Sequence, residues 1–266
     1  MADTRALRGR IKSATSTLHL TKAMGLVASS KIRRASEAMA KAKQYAHAYG
    51  HAVQLLSACP ECAKNPFMQQ RNGGKVRLIV IAGDKGMAGG YNANIFRFLA
   101  TLSDAQIIPL GKRACDRFGK PVQSSEHFSP ADAAALAKSL CADFAAGEYD
   151  ALGIVYTEYI SMMSQVPTIR WVLPLTKADN VKSTGAVFEP DENTVLQTVV
   201  PGYVSGQIMA AVRESFASEV TARRMAMDSA GKNAQQMIDN LQLEYNRARQ
   251  GAITQEITEI VAGSGE

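Results

Sequence analysis

The residues best equipped for chemistry fall in two short stretches. His47 and His51 sit one helical turn apart, and Cys59-Pro60-Glu61-Cys62 follows close behind. Imidazole nitrogen and thiolate sulfur are donors that zinc accepts. Their order and short spacer match no zinc module, so the reading taken is incidental thiols beside two solvent-facing imidazoles, with no metal site and with any redox role left open. His19 and His127 have no obvious partners. The second stretch is the glycine loop Gly83-Asp84-Lys85-Gly86-Met87-Ala88-Gly89-Gly90-Tyr91-Asn92, which follows the apolar run Val76–Ile81 and precedes a helical pattern from Asn94 to Leu102. Strand, glycine loop and helix together are the arrangement that cradles phosphates. The loop lacks both the Gly-x-x-x-x-Gly-Lys-Ser/Thr and the Gly-x-Gly-x-x-Gly orders, and glycines also serve a sharp backbone turn. No Ser-His-Asp set, carboxylate pair or metal-binding helix motif is present. The expectation is a chain without catalytic residues and without a cofactor.

The elements that carry these residues are set by proline and by periodicity. All nine prolines lie between Pro60 and Pro201, leaving both ends free of the residue that most reliably stops a helix. From Leu7 through Ile11, Ala14, Leu18, Thr21, Gly25, Ala28, Ile32, Ala35, Met39, Ala42, Ala46, Tyr49 and Val53 to Leu56, positions spaced four and three apart are apolar except Thr21 and Gly25. That is a coiled-coil seam. The C-terminal stretch keeps one through Met227, Ala230, Ala234, Ile238, Leu241, Tyr245, Ala248 and Ala252, then slips by one to Ile253, Ile257 and Ile260. Before Met227 the spacing loosens to Ile208, Val212, Phe216 and Val220. Each helix would reach roughly 80 Å at 1.5 Å per residue. The simplest pairing is antiparallel, with the middle of the chain seated at one end. Apolar residues off the seam, such as Leu26, Val27 and Met209, call for something else around the rod.

The middle alternates. Val76–Ile81, Gln106–Leu110, Ala151–Tyr156 and the extended Ser164–Leu175 read as strands; Lys112–Phe118 and Pro130–Ala146 read as helices. Such alternation argues an α/β domain with a largely parallel sheet. Residues 177–185 read as a polar loop, Thr194–Val200 is ambiguous between strand and helix, and Pro201-Gly202 opens the last helix. The fold expected is therefore a long antiparallel two-helix coiled coil with a Rossmann-like α/β domain between its arms. Its parts would be residues 1–59, 75–200 and 202–266.

At 266 residues and 46% apolar, the composition is that of a folded protein. The N-terminal charges Asp3, Arg5, Arg8, Arg10 and Lys12 exclude a secretory signal, and no apolar run approaches the roughly 18 residues of a membrane span. The net charge of +6 is concentrated: residues 1–59 hold ten Lys and Arg against two acids, and residues 202–266 hold six against eight. A basic helix suits nucleic acid, anionic lipid or an acidic protein surface, or it is a solvated face that pairs with the second helix. No aromatic residues interleave with the basic ones as stacking platforms, so no nucleic acid is expected. Four cysteines are too few and scattered for a disulfide framework.

Four stretches resemble one family. Leu20-Thr21-Lys22-Ala23-Met24-Gly25-Leu26-Val27-Ala28-Ser29-Ser30-Lys31-Ile32-Arg33-Arg34 and the segment from Tyr245 to Gly263 are similar to the two ends of the gamma subunit of F-type ATP synthases. Gly83–Asn92 and Met163-Ser164-Gln165-Val166-Pro167-Thr168 resemble its internal signatures. The resemblance implies a non-catalytic rotor shaft inside three alpha and three beta subunits, coupling c-ring rotation, driven by protons or sodium, to ATP synthesis, and reversible to ATP-driven ion pumping. Its α/β foot would meet the epsilon subunit and the c-ring. The membrane would be touched only through the complex, at the cytoplasmic face of a bacterial inner membrane. By the same resemblance Lys22, Met24, Arg224, Arg249, Gln250, Thr254 and Glu256 would contact the alpha/beta ring, and Glu189 the c-ring or epsilon. Met24 reads equally as seam packing, and Arg224 beside Arg223 as solvated. Ala88 stands where the family often has cysteine, Gly25 where it often has a charged or polar residue, and the regulatory cysteine insertion of chloroplast members is missing. Two other readings are a coiled-coil arm like that of a seryl-tRNA synthetase, for which the middle is too short, and a small nucleotide-using α/β enzyme, which the glycine loop supports little.

Overall fold

The computed structural model describes residues 2–71, 73–102, 105–177 and 188–263. Helix α1 spans Ala2–Ser57 and is followed by a 3-10 turn at Pro60–Lys64; then come β1 (Val76–Ile81), α2 (Tyr91–Leu99), β2 (Gln106–Leu110), α3 (Lys112–Phe118), α4 (Pro130–Ala145), β3 (Ala151–Tyr159), β4 (Gln165–Leu173) and α5 (Glu192–Gly263). The chain divides into two compact units, one of residues 1–29 with 223–266 and one of residues 30–222.

In the larger unit a four-stranded sheet has the order β2-β1-β3-β4. β1 pairs in parallel with β2 and with β3, while β3 and β4 form an antiparallel pair. The sheet is thus mixed, and its hairpin edge accounts for the short connection between β3 and β4. Both faces of β1 are buried, which is why it reads as an unbroken apolar run. Leu78 and Val80 pack with Tyr91 and Ile95 of α2, whereas Ile79 and Ile81 join a core with Phe144, Val53, Leu56, Val200, Val204 and Ile208. One face therefore holds α2, and the other is covered by α4, the end of α1 and the first turns of α5. Arg77 interrupts the run at little cost: its guanidinium donates to Asp143 at 2.6 Å, its Nε to Gln106 at 2.8 Å, and it lies 4.4 Å from the Tyr149 ring. Gly111 has φ +92° and lies so close to Ala82 that a Cβ would fall 1.9 Å from its carbonyl oxygen, so only glycine closes this crossover. α4 begins with a capping box in which Ser129 and Asp132 exchange hydrogen bonds, with Pro130 in the first turn.

Several expectations from the sequence need correction. The last helix starts at Glu192, and Pro201 lies inside it. Proline removes one backbone donor, but Leu196, Val200 and Val204 on either side are fully buried, and this packing holds the helix through the defect. Asp191 fixes the start, accepting from the Thr194 amide at 2.9 Å and its hydroxyl at 2.7 Å. α2 starts at Tyr91, three residues before the expected Asn94. A window of α5 also reaches the length and mean hydropathy, 1.3, of a membrane span; 56% of it is buried within the protein. Of the expected polar loop at 177–185, residues 178–185 lie outside the described residues.

In the smaller unit, the N-terminal part of α1 and the C-terminal part of α5 run antiparallel. Arg224 donates to the Gly25 carbonyl at 3.2 Å, and Arg8 donates to the Tyr245 hydroxyl at 2.9 Å. Leu7, Ala14, Leu18, Thr21, Gly25 and Ala28 on one helix are buried, as are Met227, Ala234, Ile238 and Leu241 on the other. The buried hydroxyl of Thr21 is satisfied by its own helix, donating to the Leu18 carbonyl at 3.0 Å, so the polar atom in the seam costs little.

Candidate partner-binding surfaces

The paired helices present two surfaces that their own packing leaves open. The first surrounds Gly25. With no side chain at Gly25 or Gly231, the seam thins, and a groove of about 440 Å³ opens between Leu18, Lys22, Leu26, Arg224, Asp228 and Lys232. Lys22 is exposed, and Arg224 is half-buried with its guanidinium on the Gly25 carbonyl. Lys232 pairs with Asp228 at 2.9 Å, and the Lys232 ammonium holds the Asp228 carboxyl below the usual range. The groove thus brings together Lys22 and Arg224, two of the residues singled out by the sequence. Met24, half-buried, is not among its walls. Beside it Leu26 and Val27 are 68% and 59% exposed, too much apolar area for a face meant for water alone.

The second surface is the end of α5. Its register against α1, read from Gly25 beside Met227 and Arg8 beside Tyr245, exhausts α1 near Gln250. The remaining turns to Gly263 extend roughly 20 Å further at 1.5 Å per residue. Ile253, Ile257 and Ile260, which the sequence placed on a slipped seam, are 47%, 56% and 70% exposed for this reason. They do not pair with α1. Arg249, Gln250, Thr254 and Glu256 are exposed here as well. Helical spacing puts Arg249, Ile253, Glu256 and Ile260 on one stripe, with Gln250, Thr254, Ile257 and Val261 on the next. Charged, amide and apolar groups therefore alternate along a stretch that lies beyond the reach of α1. The hydroxyl of Thr254 donates to the Gln250 carbonyl at 2.9 Å and that of Thr258 to the Thr254 carbonyl at 2.8 Å, so those hydroxyl protons are used within the helix.

In the larger unit Glu189 is exposed, just ahead of the Asp191 cap. The glycine loop has a structural task. The Asp84 carboxylate accepts from the Ser124 hydroxyl at 2.5 Å and from the amides of Lys112, Ser125 and Glu126 at 2.9, 3.0 and 3.0 Å. Burial alone would raise this carboxyl, but those four hydrogen bonds outweigh it and hold Asp84 below the usual carboxylate range. Asp84 thus ties the glycine loop to the start of α3 and to the 124–126 segment. Glu126 in turn meets Lys31 of α1 at 2.5 Å and Lys85 at 3.4 Å.

His47 and His51 border an open pocket of about 330 Å³ with Gln54, Trp171 and Tyr203; Cys59 and Cys62 are not among its walls. The structure thus separates the imidazoles from the thiols, and among the described residues no group of three or more possible ligands could hold a metal ion.

Sequence reasoning missed a buried charge cluster. Glu214 of α5 is fully buried; its Oε1 accepts from Lys43 of α1 at 2.7 Å and from the Tyr159 amide at 3.2 Å. Its Oε2 lies 3.8 Å from the Arg170 guanidinium, which also donates to Gln207 at 3.2 Å and to the Tyr156 hydroxyl. Burial pushes the Tyr156 phenol up to about 12, so the guanidinium meets a neutral hydroxyl. The partners come from α1, β3, β4 and α5, so the cluster ties four elements of this unit together.

A family model described as ATP synthase matches residues 3–265. The ATP synthase gamma chain of Cupriavidus pinatubonensis is 39% identical over 291 residues, covering 99% of this chain and 99% of that one. The gamma chain of Ruminococcus albus is 37% identical over 282 residues, covering 99% and 98%. The fold is similar to a chain of the OSCP/F1/c-ring structure of Euglena gracilis mitochondrial ATP synthase, with a TM-score of 0.71 at 17% identity over 99% of this chain and 94% of that one. It is also similar to a chain of the rotor of that enzyme, with a TM-score of 0.67 at 16% identity over 95% and 99%. With a family model spanning nearly its whole length and relatives well above 30% identity end to end, this chain belongs to the ATP synthase gamma chain family.

Proposed function

We propose that this chain is the central rotor shaft of an F-type ATP synthase, coupling ion-driven rotation of a c-ring to sequential conformational change at the catalytic beta subunits. The observation that carries the reading is the end of α5, where Arg249, Gln250, Thr254 and Glu256 interleave with exposed Ile253, Ile257 and Ile260. A surface of that composition suits a sleeve that is mostly apolar with a few hydrogen-bonding groups. Arg249 and Gln250 offer a planar charged fork beside an amide, suited to a partner's carboxylates or carbonyls. The groove with Lys22 and Arg224 suits acidic loops of the beta subunits, with Met24 packing alongside.

The chain couples and does not catalyse. Each side of an asymmetric helix pair offers different groups, so each rotor angle favours a different conformation in each of three beta subunits around it. Rotation therefore changes their nucleotide affinities in turn, through differential contact with each state. ATP hydrolysis drives the same cycle backwards. Residues 1–59 and 202–266 form the shaft, and residues 75–200 form the foot that meets the epsilon subunit and the c-ring on a surface including Glu189. The chain reaches the cytoplasmic face of the bacterial inner membrane only through the complex.

The test is reconstitution with alpha and beta subunits, the ring immobilised and a bead attached to the foot. Unidirectional, ATP-dependent rotation is expected. ATP hydrolysis by the assembled ring with a static bead, or failure of the chain to enter the ring, would overturn the reading.

A further inference from the structure

The thiols at the end of α1 are unused by any of these surfaces. Cys59 and Cys62 flank the turn into the 3-10 helix, and the Cys62 amide donates to the Cys59 carbonyl at 3.1 Å. A hydrogen bond across three residues brings the two Cα atoms within about 7 Å, close to the 4.4–6.8 Å or so that a disulfide spans. Both thiols are free; Cys59 is half-buried and Cys62 fully buried. The turn is also anchored. Asn65 donates its amide to the Cys62 carbonyl at 2.9 Å, and the Asn193 side chain at the start of α5 donates to the Glu61 carbonyl at 2.9 Å. A bond between the two sulfurs would therefore restrain the point where α1 ends beside the beginning of α5.

We propose that Cys59 and Cys62 form a dithiol–disulfide pair that reacts with low-molecular-weight disulfides, of which oxidised glutathione is the probe. The accessible Cys59 sulfur, as thiolate, attacks one sulfur of the probe and forms a mixed disulfide, expelling one glutathione thiolate. Cys62, losing its proton, then attacks the Cys59 sulfur, forms the intramolecular bond and expels the second glutathione. The two protons given up by the protein thiols end on the two glutathiones, so the chain loses two hydrogens and the probe gains them. Burial pushes the Cys59 thiol up and that of Cys62 to about 11. The reduced pair is therefore held as thiols, and such a pair reacts slowly. Cys115 and Cys141 are buried in α3 and α4 and serve as internal controls.

The experiment treats the folded full chain with oxidised glutathione, blocks remaining thiols with iodoacetamide, and reads each cysteine by peptide mass spectrometry. Protection of Cys115 and Cys141 in the same sample certifies that the chain is folded. The expected result is a peptide in which Cys59 and Cys62 are joined and neither is alkylated, and in Cys62→Ser a mixed disulfide that persists on Cys59. A mixed disulfide that persists on Cys59 of the unmodified chain would overturn the proposal. So would alkylation of Cys59 with no peptide joining it to Cys62, under conditions that oxidise the two in the unfolded chain.

Discussion

Removing the ammonium from the buried cluster gives the sharpest test of how the larger unit is held. In Lys43→Met, the methylene stem keeps its packing while the Glu214 carboxylate loses its nearest cation, 2.7 Å away. At that distance and an effective dielectric of about 20, the attraction is about 6 kcal/mol. Desolvation of the carboxylate offsets much of it, and water screens a Lys43 side chain that is 44% exposed. Arg170, at 3.8 Å, remains to hold Oε2. The net loss should therefore fall below the roughly 3–5 kcal/mol of a wholly buried pair, at about 2–3 kcal/mol. Glu214→Gln keeps an acceptor for Lys43 and for the Tyr159 amide and should cost about 1–2 kcal/mol. The double variant should cost at least about 1 kcal/mol less than the sum, because the two groups share one interaction. Urea unfolding of the full chain, followed by the fluorescence of its single tryptophan, Trp171 of β4, reads all three. Strictly additive costs, or a Lys43→Met chain within about 0.5 kcal/mol of the unmodified one, would refute the reasoning.

Gly25→Ala should stabilise the paired helices by up to about 1 kcal/mol, since its new methyl would meet Met227 at 3.6 Å and Arg224 at 3.7 Å, both ordinary contacts; a lower melting temperature by circular dichroism would contradict this. Asp84→Asn should flatten the acid limb of stability. The folded carboxyl lies below its unfolded value near 3.9, so its contribution is present above about pH 4 and is lost as pH falls through the folded value; an unchanged acid limb in urea titrations would count against the four-bond account. Arg249→Ala should leave folding untouched, because the side chain is exposed, and should lower coupled ATP synthesis in the assembled complex, with unchanged synthesis as the contrary result.

What the sequence made legible follows from what buries it. Val76–Ile81 and Gln106–Leu110 appear with their expected limits as short apolar runs that a glycine soon follows, and the helix Lys112–Phe118 does so between Gly111 and Gly119. The α1 seam from Leu7 to Leu56 is legible for the same reason: every one of its positions is at least half-buried. Pro201 misled because proline usually opens a helix, whereas here Leu196 and Val200 carry the core upstream of it. The slip to Ile253 looked like a seam because periodicity shows an apolar stripe without saying whether α1 still lies beside it. Glu214 escaped because a lone acid on a helix reads as solvated, and Lys43, its partner, is 171 residues away. Of the candidate contact residues, Lys22 and Arg224 were suggested by likeness to a family, and no spacing rule would have paired them across a groove.

The central claim is that this chain turns within a ring of other subunits, and its assembly tests that most directly. The chain is tagged in its own cell, the membranes are solubilised in mild detergent, and the intact complex is weighed by native mass spectrometry. The account predicts one copy of this chain with three alpha and three beta subunits. A free chain, or one carrying RNA, would contradict it.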